Sequence, residues 1–481
     1  MRQNHHDGTK RWARWEGASL PTNVRPPILA DGRHSSGLAG CKGGGHGDPK
    51  AAFAKAPTFS PDTDFRARVA AEKFHLCRTT REKGRMGPSK SSNTAPSTLQ
   101  VHRTSDLRRL LADRPTWGRL ACGVPFRDPR WLAPWWDSFS ESAEAYALVA
   151  SDERCVIRGV LPLYRRSNHG YRDLNFVGDG AACSDYVSIA CRPQDSTAVA
   201  QAMAAYLMDV RDDPDHGWDG VEIDGIAESD ETMRSFAQAL LVGGAAVHAH
   251  SRQSTWLSAR RATWEDHLRS MAKTTRRKVR RFGEQIDGAG GLTKRVAETE
   301  NQVDAFLDEL IDLHQRRWRA EGVAGSYHDS RMVTFIHSVA QAFFLSQRLY
   351  LPTLWKGDRM VSAELHMIGD DRRLYCYSSG YDIDSSHLQP GRVLLSDTLR
   401  ELYRRDWTGI DFLRGDEIYK RRMAATPQRI VCLRVFSPSA AGRIRFETWS
   451  AGFNAKQWLR RRLGIPPLSV VGMCETGTPS R

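Results

Sequence analysis

The sequence predicts an α+β fold in two successive units, each a mixed, mostly antiparallel sheet flanked by helices. Three observations carry this. Extended and helical patterns alternate from Val101 onward. "RLYLPTLWKGDRMVSAELHMIGDDRRLYCYSSGYD" reads as three consecutive strands joined by the turns "KGD" and "GDDRR", which is an antiparallel meander. The order after it, helix, strand, helix, partly echoes the element order of the first unit. With 481 residues the chain is long enough for two cores.

Residues 1–100 hold no sustained period and are crowded with Gly, Pro, Ser, Arg and His, as in "GLAGCKGGGHGDPK". Such a segment buries too little apolar surface to offset its ordering entropy, so a disordered basic tail is expected. It lacks the apolar core of a secretory signal, and translation from Met86 is a second expectation for this stretch. The net charge of +14 is misleading as a whole, because residues 1–100 carry +9 of it and the remainder only +5. No firm nucleic-acid signal follows from the folded part.

The first unit, expected over residues 101–260, opens with "YALVA" (146–150) and "RCVIRGVLPLYRR" (154–166) as paired strands around the turn "SDER". Further extended segments in "YRDLNFVGDGAACSDYVSIA", a helix at 196–210, a strand in "WDGVEIDGI", a helix at 230–242 and a strand ending near Leu257 complete it. The second unit, expected over 261–465, opens with the basic helix "TWEDHLRSMAKTTRRKVRRFGEQID" and the strand "LTKRVAE". Helices at 301–320 and 330–347 follow, the first with Phe306, Leu310, Leu313 and Trp318 near helical spacing. The meander comes next, then a helix, the strands "TGIDFLRGDE" and "QRIVCLRVF", and a basic helix ending at "WLRRRLG". Residues 466–481 are expected to be a flexible end.

Several chemistries find no support in the sequence. The nine cysteines are scattered and include no C-x-x-C pair, so neither a zinc site nor a disulfide framework is indicated, and a reducing cytoplasm is the plain reading. No apolar run reaches the roughly 20 residues of a membrane span. Phosphate-loop, zinc-protease and nucleophile-elbow motifs are missing.

The segment "YDIDSSHLQPGRVLLSDTL" is more informative. Pro390 suits the first position of a helix, where its missing N–H is no loss, and Gly391 leaves the first turn without a side chain. Leu394, Leu395, Thr398, Leu399, Leu402 and Tyr403 then follow at helical spacing and anchor the helix by one face. Its start is therefore a bare, partly positive anion site. In the meander, Glu364 and His366 share a strand face, and "DFLRGDEIYKRRM" places charges of both signs at a strand end. The run "KTTRRKVRRFG" surrounds a helix with cations, Arg276 and Arg277 among them, which reads as a solvated face or an anionic substrate contact.

From "RSMAKTTRRKVRR" through "GYD…PG…LL…DFLRGDEIYK", residues 265–435 resemble the GNAT-superfamily acetyltransferase-like family often described as a cellulose-biosynthesis N-acetyltransferase domain, a relative of the Fem-type aminoacyltransferases. The resemblance implies tandem GNAT-like domains and an acyl-CoA co-substrate, acetyl-CoA or another, with its pyrophosphate on Gln389, Pro390, Gly391, Arg392, Val393 and Leu394. The chain departs from the usual R/Q-x-x-G-x-G/A loop, offering only Gln389-Pro390-Gly391-Arg392. An amine attacking the thioester directly needs a base and no metal, and Asp382, Glu364, His366 and Glu417 are the candidates. Tyr381, Tyr419, Lys420, Arg276 and Arg277 are the candidate substrate contacts. The acceptor implied is an amine on a small molecule or a saccharide-linked precursor, in polysaccharide or cell-envelope biosynthesis. The alternatives are a Fem-like aminoacyl-tRNA-dependent transferase and a non-catalytic accessory protein of exopolysaccharide assembly.

Overall fold

Proline at position 162 sets the architecture of the first half. In the computed structural model, which describes residues 99–120, 123–168, 170–286, 291–464, 468–471 and 473, the single extended run expected over 154–166 is cut there. Pro162 has no N–H to continue a ladder, and the residues on either side of it join different sheets. The expected N-terminal tail lies outside the described residues, except for its last two, as does most of the expected C-terminal end.

The strands of the first half are β1 (Gln100–Thr104), β2 (Glu144–Ala145), β3 (Ala147–Ser151), β4 (Ile157–Leu161), β5 (Leu163–Asn168), β6 (Tyr171–Phe176), β7 (Ala190–Cys191), β8 (Gly220–Ala227) and β9 (Ala246–Ala259). Those of the second are β10 (Leu292–Val296), β11 (Leu349–Tyr350), β12 (Pro352–Lys356), β13 (Arg359–Ile368), β14 (Arg373–Tyr381), β15 (Gly409–Arg414), β16 (Thr426–Phe436) and β17 (Ser469–Val470). The helices are α1 (Leu107–Ala112), α2 (Arg114–Leu120), α3 (Pro129–Phe139), α4 (Ser196–Asp209), α5 (Glu231–Val242), α6 (Trp264–Ser270), α7 (Lys273–Gly283), α8 (Glu300–Ala320), α9 (Ser330–Leu345), α10 (Pro390–Arg404), α11 (Ile418–Arg422) and α12 (Ala440–Arg462).

A small sheet has the order β1-β3-β4-β7, and a large one runs β10-β12-β13-β14-β15-β9-β16-β8-β6-β5-β2, with β11 and β17 paired at its side. The large sheet contains two parallel pairs, β6 with β8 and β14 with β15; its other pairs are antiparallel. Each parallel pair is joined by a crossover containing a helix, α4 in the first half and α10 in the second, as parallel neighbours require. The echo in element order is thus an echo in topology.

The last strands of the two halves are exchanged. Strand β9 lies between β15 and β16, both from the second half, while β16 lies between β9 and β8. The boundary expected near residue 260 therefore follows a strand whose partners all come later in the chain. Aromatic packing also crosses between the halves: the Trp131 indole of α3 meets Phe126, Phe335 of α9 and Tyr377 of β14 at 4.8–5.0 Å between ring centres.

The helix expected across 263–287 divides at Met271 and Ala272, because Met271 adopts an extended backbone that buries its side chain. The segment after the break, α7, sets Val279 and Phe282 on the core and leaves most of its basic residues outside.

Candidate active site

The meander forms as the turn residues predict, with β12, β13 and β14 antiparallel in sequence order. Strand β14 then does two things. It pairs with β15 through Arg373, Leu374 and Tyr375 only. Immediately afterwards its register against β13 shifts, since His366 faces Cys376 whereas Leu365 faces Ser378, leaving Tyr377 as an inserted residue. An inserted residue bends its strand, and from Cys376 to Tyr381 β14 has no ladder with β15. The gap that opens between two splayed parallel strands is the geometric heart of the site.

At the end of β14 the chain turns through Ser386–Leu388 into α10, which begins at Pro390 as the sequence predicts. The residue before it, Gln389, has a φ of +56°, an unfavourable left-handed backbone for a residue with a side chain. Its carbonyl accepts the Arg392 and Val393 N–H groups at 2.9 and 3.1 Å, which holds the strained residue in place. The Gln389 side chain makes no capping hydrogen bond to the helix backbone. Below its first turn, Val393, Leu394, Leu395, Leu399 and Leu402 are buried, at about 1.5–3 kcal/mol each, so the helix start is rigid.

The glycine at this start has no backbone or packing reason to be one. Gly391 has no left-handed φ, and a Cβ built on it would meet nothing closer than Tyr381 at 3.8 Å and Ser362 Oγ at 3.9 Å. Gly380 differs, since its Cβ would sit 2.8 Å from the Leu310 carbonyl and 2.9 Å from Leu313 Cβ, so that glycine lets α8 pack on β14. Open space is what Gly391 provides.

A cavity of about 640 Å³ joins these features. One wall is β14, through Cys376, Ser379, Gly380 and Tyr381; the opposite wall is Phe412 of β15 with Tyr419 and Met423. The helix start contributes Gln389, Pro390, Gly391 and Arg392, the end of α8 contributes Arg317 and Glu321, and β13 contributes Ser362 and Glu364. Arg392 donates to Gln389 Oε1 at 3.1 Å, and its pKa is lowered first by burial and then by the neighbouring Arg422 charge. Two like charges beside a bare helix start make a setting that an anion relieves. The Arg317 guanidinium lies 5.3 Å from the Tyr381 ring centre, adding a third cation.

The four candidate bases separate clearly. Glu364 lines the cavity, accepts from Thr398 Oγ1 at 2.8 Å and lies 2.9 Å from His366 Nε2. His366 stands behind it, fully buried; burial pushes its imidazole down, but the Cys376 sulfur and the Glu364 carboxylate more than reverse this and raise it to about 10. Asp382 is also fully buried, but it faces Arg359 at 2.8 Å, Arg316 at 3.5 Å and Ser385 Oγ at 2.6 Å. It pins the turn after β14 and does not line the cavity. Glu417 precedes α11 and pairs with Lys420 at 2.8 Å.

The candidate substrate contacts divide as well. Tyr381 and Tyr419 line the cavity. The Tyr419 phenol is held well above its ordinary pKa by burial and then by the Cys376, Glu417 and Glu364 charges, so it keeps its proton. Lys420 is enclosed, its ammonium donating to the Leu413, Arg414 and Gly415 carbonyls at 2.9–3.1 Å, which ties off the loop after β15. Arg276, half-buried, and Arg277, exposed, lie on α7 and not on the cavity wall. Val393 and Leu394 lie beneath the helix start and not on its surface. Sequence reasoning missed Arg317, Ser362, Ser379, Cys376 and Phe412, and only the period-2 positions of β14 and β15 hinted at the strand residues.

Residues 269–421 match the acetyltransferase (GNAT) domain family. Among solved structures, that of FemX is similar over 73% of this chain and 99% of its own, at 10% identity and a TM-score of 0.50. A conserved protein of unknown function from Bacteroides thetaiotaomicron aligns over 70% and 100%, at 13% identity and a TM-score of 0.43. A tandem GNAT protein from the clavulanic acid biosynthesis pathway aligns over 71% and 99%, at 11% identity and 0.39. No curated protein matches. The matched domain spans the basic helix, the meander, the splayed strands and the helix start, so residues 269–421 carry an acetyltransferase domain of the GNAT type, and the chain has a fold shared with FemX.

Proposed function

We propose that the protein transfers an acyl group, acetyl in the first instance, from acyl-CoA to an amine on a small molecule or a saccharide-linked precursor, by direct attack of the amine on the thioester. The observation that supports this best is one cavity joining a splayed strand pair to a bare, cationic helix start. Gly391 and Arg392 would hold the diphosphate, and the backbone that β14 leaves without β15 beyond Tyr375 suits the amide-bearing arm of CoA. Such chemistry is at home in the cytoplasm, where acyl-CoA is made.

Glu364 is the base in this reading, because it alone of the four candidates lines the cavity. It accepts the proton that the amine sheds as the new C–N bond forms. His366, carrying its proton at neutral pH, neutralises the carboxylate from behind and fixes its orientation with Thr398. Tyr419, still protonated, donates to the sulfur as the C–S bond breaks. Tyr381 and Arg317 flank the acceptor, and the Arg276 and Arg277 charges draw the anionic donor toward α10.

Calorimetry with acetyl-CoA tests the reading. Saturable binding is expected, with complete loss in Gly391→Glu, whose carboxylate would occupy the anion site while the melting temperature stays unchanged. No binding at millimolar acetyl-CoA overturns it. Binding of aminoacyl-tRNA instead, weakening steeply with salt, would establish the Fem-like alternative, and binding of neither would leave an accessory protein.

A further inference from the structure

We propose that the outward face of α12 seats the protein on an anionic membrane surface. Going beyond the acyl-transfer reading, this inference rests on a different part of the molecule. The inner face of α12 is firmly anchored: Trp449 and Phe453 stack at 5.1 Å between ring centres, Phe446 and Trp449 each lie 5.4 Å from Phe436, and His248 meets Trp449 at 4.6 Å and Phe453 at 4.8 Å. Gln457, buried, ties the helix to the chain beyond it by accepting from the Leu468 N–H at 3.0 Å and donating to its carbonyl at 3.1 Å. The outer face is thereby held in a fixed orientation.

That outer face is largely apolar, with the exposed Glu447 beside its first turns and cations beside its last. Ile444, Thr448, Ala451, Ala455, Trp458, Leu459, Arg462 and Leu463 follow at helical spacing and are all exposed. Four of the nine large apolar side chains open to solvent among the described residues lie here: Ile444 at 61%, Trp458 at 58%, Leu459 at 51% and Leu463 at 64%. Soluble proteins scatter such residues singly, so a stripe of them needs a partner. The charge beside the stripe identifies that partner. Residues 456–462 include Lys456, Arg460, Arg461 and Arg462 and no acidic side chain, and the Arg462 guanidinium sits 5.3 Å from the Trp458 ring centre. An apolar face with a Trp, flanked by cations, is what an interfacial helix presents to anionic lipid, its indole and leucines entering the headgroup boundary while the guanidinium groups meet phosphate. Crossing the bilayer is a different matter, and among the described residues no helix is long and apolar enough for it.

The test is sedimentation of the full chain with phosphatidylcholine vesicles, with and without phosphatidylglycerol. Binding is expected only to the anionic vesicles and should fall as salt rises. Replacing Trp458, Leu459 and Leu463 together by Ser should abolish it while leaving the melting temperature and acetyl-CoA binding unchanged. Lys456→Glu, Arg461→Glu and Arg462→Glu together should weaken it on the order of a hundredfold. The proposal is overturned if the chain fails to bind anionic vesicles at low salt, or if either set of substitutions leaves binding intact. It is equally overturned if the serine variant dissolves a lipid-free dimer, which would assign the face to a second copy, or if the helix binds RNA and not vesicles.

Discussion

Arg414, at the end of β15, is held by Asp185 from the other half of the chain: its Nε lies 2.7 Å from one carboxylate oxygen and its backbone N–H 3.0 Å from the other. The same guanidinium donates to the Ser184 carbonyl at 2.7 Å and to Asp224 at 2.9 Å. Asp185 is fully buried, and burial pushes its carboxyl up while the Arg414 charge opposes this. The segments "GDGAACSDY" and "DFLRGDEIYK" thus meet at this ion pair. Arg414→Met would leave a buried carboxylate without its cation and should cost about 3–5 kcal/mol by urea unfolding, with part of the loss recovered when Asp185→Asn is added.

Gly391→Ala separates fold from binding. The methyl has ordinary contacts only, so the variant should unfold no more easily than the parent, and up to about 1 kcal/mol less easily. Acetyl-CoA should nevertheless bind more weakly, since the methyl intrudes where the anion approaches the backbone. A variant with unchanged affinity would place the diphosphate elsewhere.

Glu364→Gln keeps the shape of the side chain and should lower kcat by about 10²–10⁴ while acetyl-CoA binding persists. Tyr419→Phe, removing a proton donor and not a base, should lower kcat as well, with a recovery for donors whose thiol leaving group is more acidic. Steady-state kinetics on both, beside calorimetry, checks the two roles separately.

Asp411 supplies a pH test. The fully buried carboxyl accepts from the Tyr186 hydroxyl and from the Leu413 N–H, the latter at 2.9 Å, and burial raises its pKa to about 7. Its folded pKa lies above its unfolded value, so its favourable contribution is fully present below pH 4 and is lost as pH rises through about 7. Melting temperatures between pH 5.5 and 8.5 should therefore fall less steeply for Asp411→Asn, which cannot ionise, than for the parent.

Much of this protein was legible in the sequence because it is local. The meander turns, the start of α10 at Pro390, and the apolar spacing that buries Leu394, Leu399 and Leu402 all follow from residues a few positions apart. Those signals placed the bare helix start and the strand carrying Glu364 and His366. They did not distinguish among the four carboxyl and imidazole candidates, since whether a side chain lines a cavity or pins a turn depends on what packs against it. Asp382 and Lys420 show this, their charges being enclosed by Arg359 and by the loop carbonyls after β15.

By itself, then, the sequence determined the two repeats of strand, helix and strand and the bare helix start, which short-range sterics and periodicity dictate. Tertiary structure alone decided that β9 and β16 exchange places and that an inserted residue at Tyr377 parts β14 from β15. It also decided that Arg414 reaches Asp185 across 229 positions. Strand pairing and buried ion pairs are contacts between distant segments, and no local pattern encodes which distant partner will be present when the backbone and charge must be satisfied.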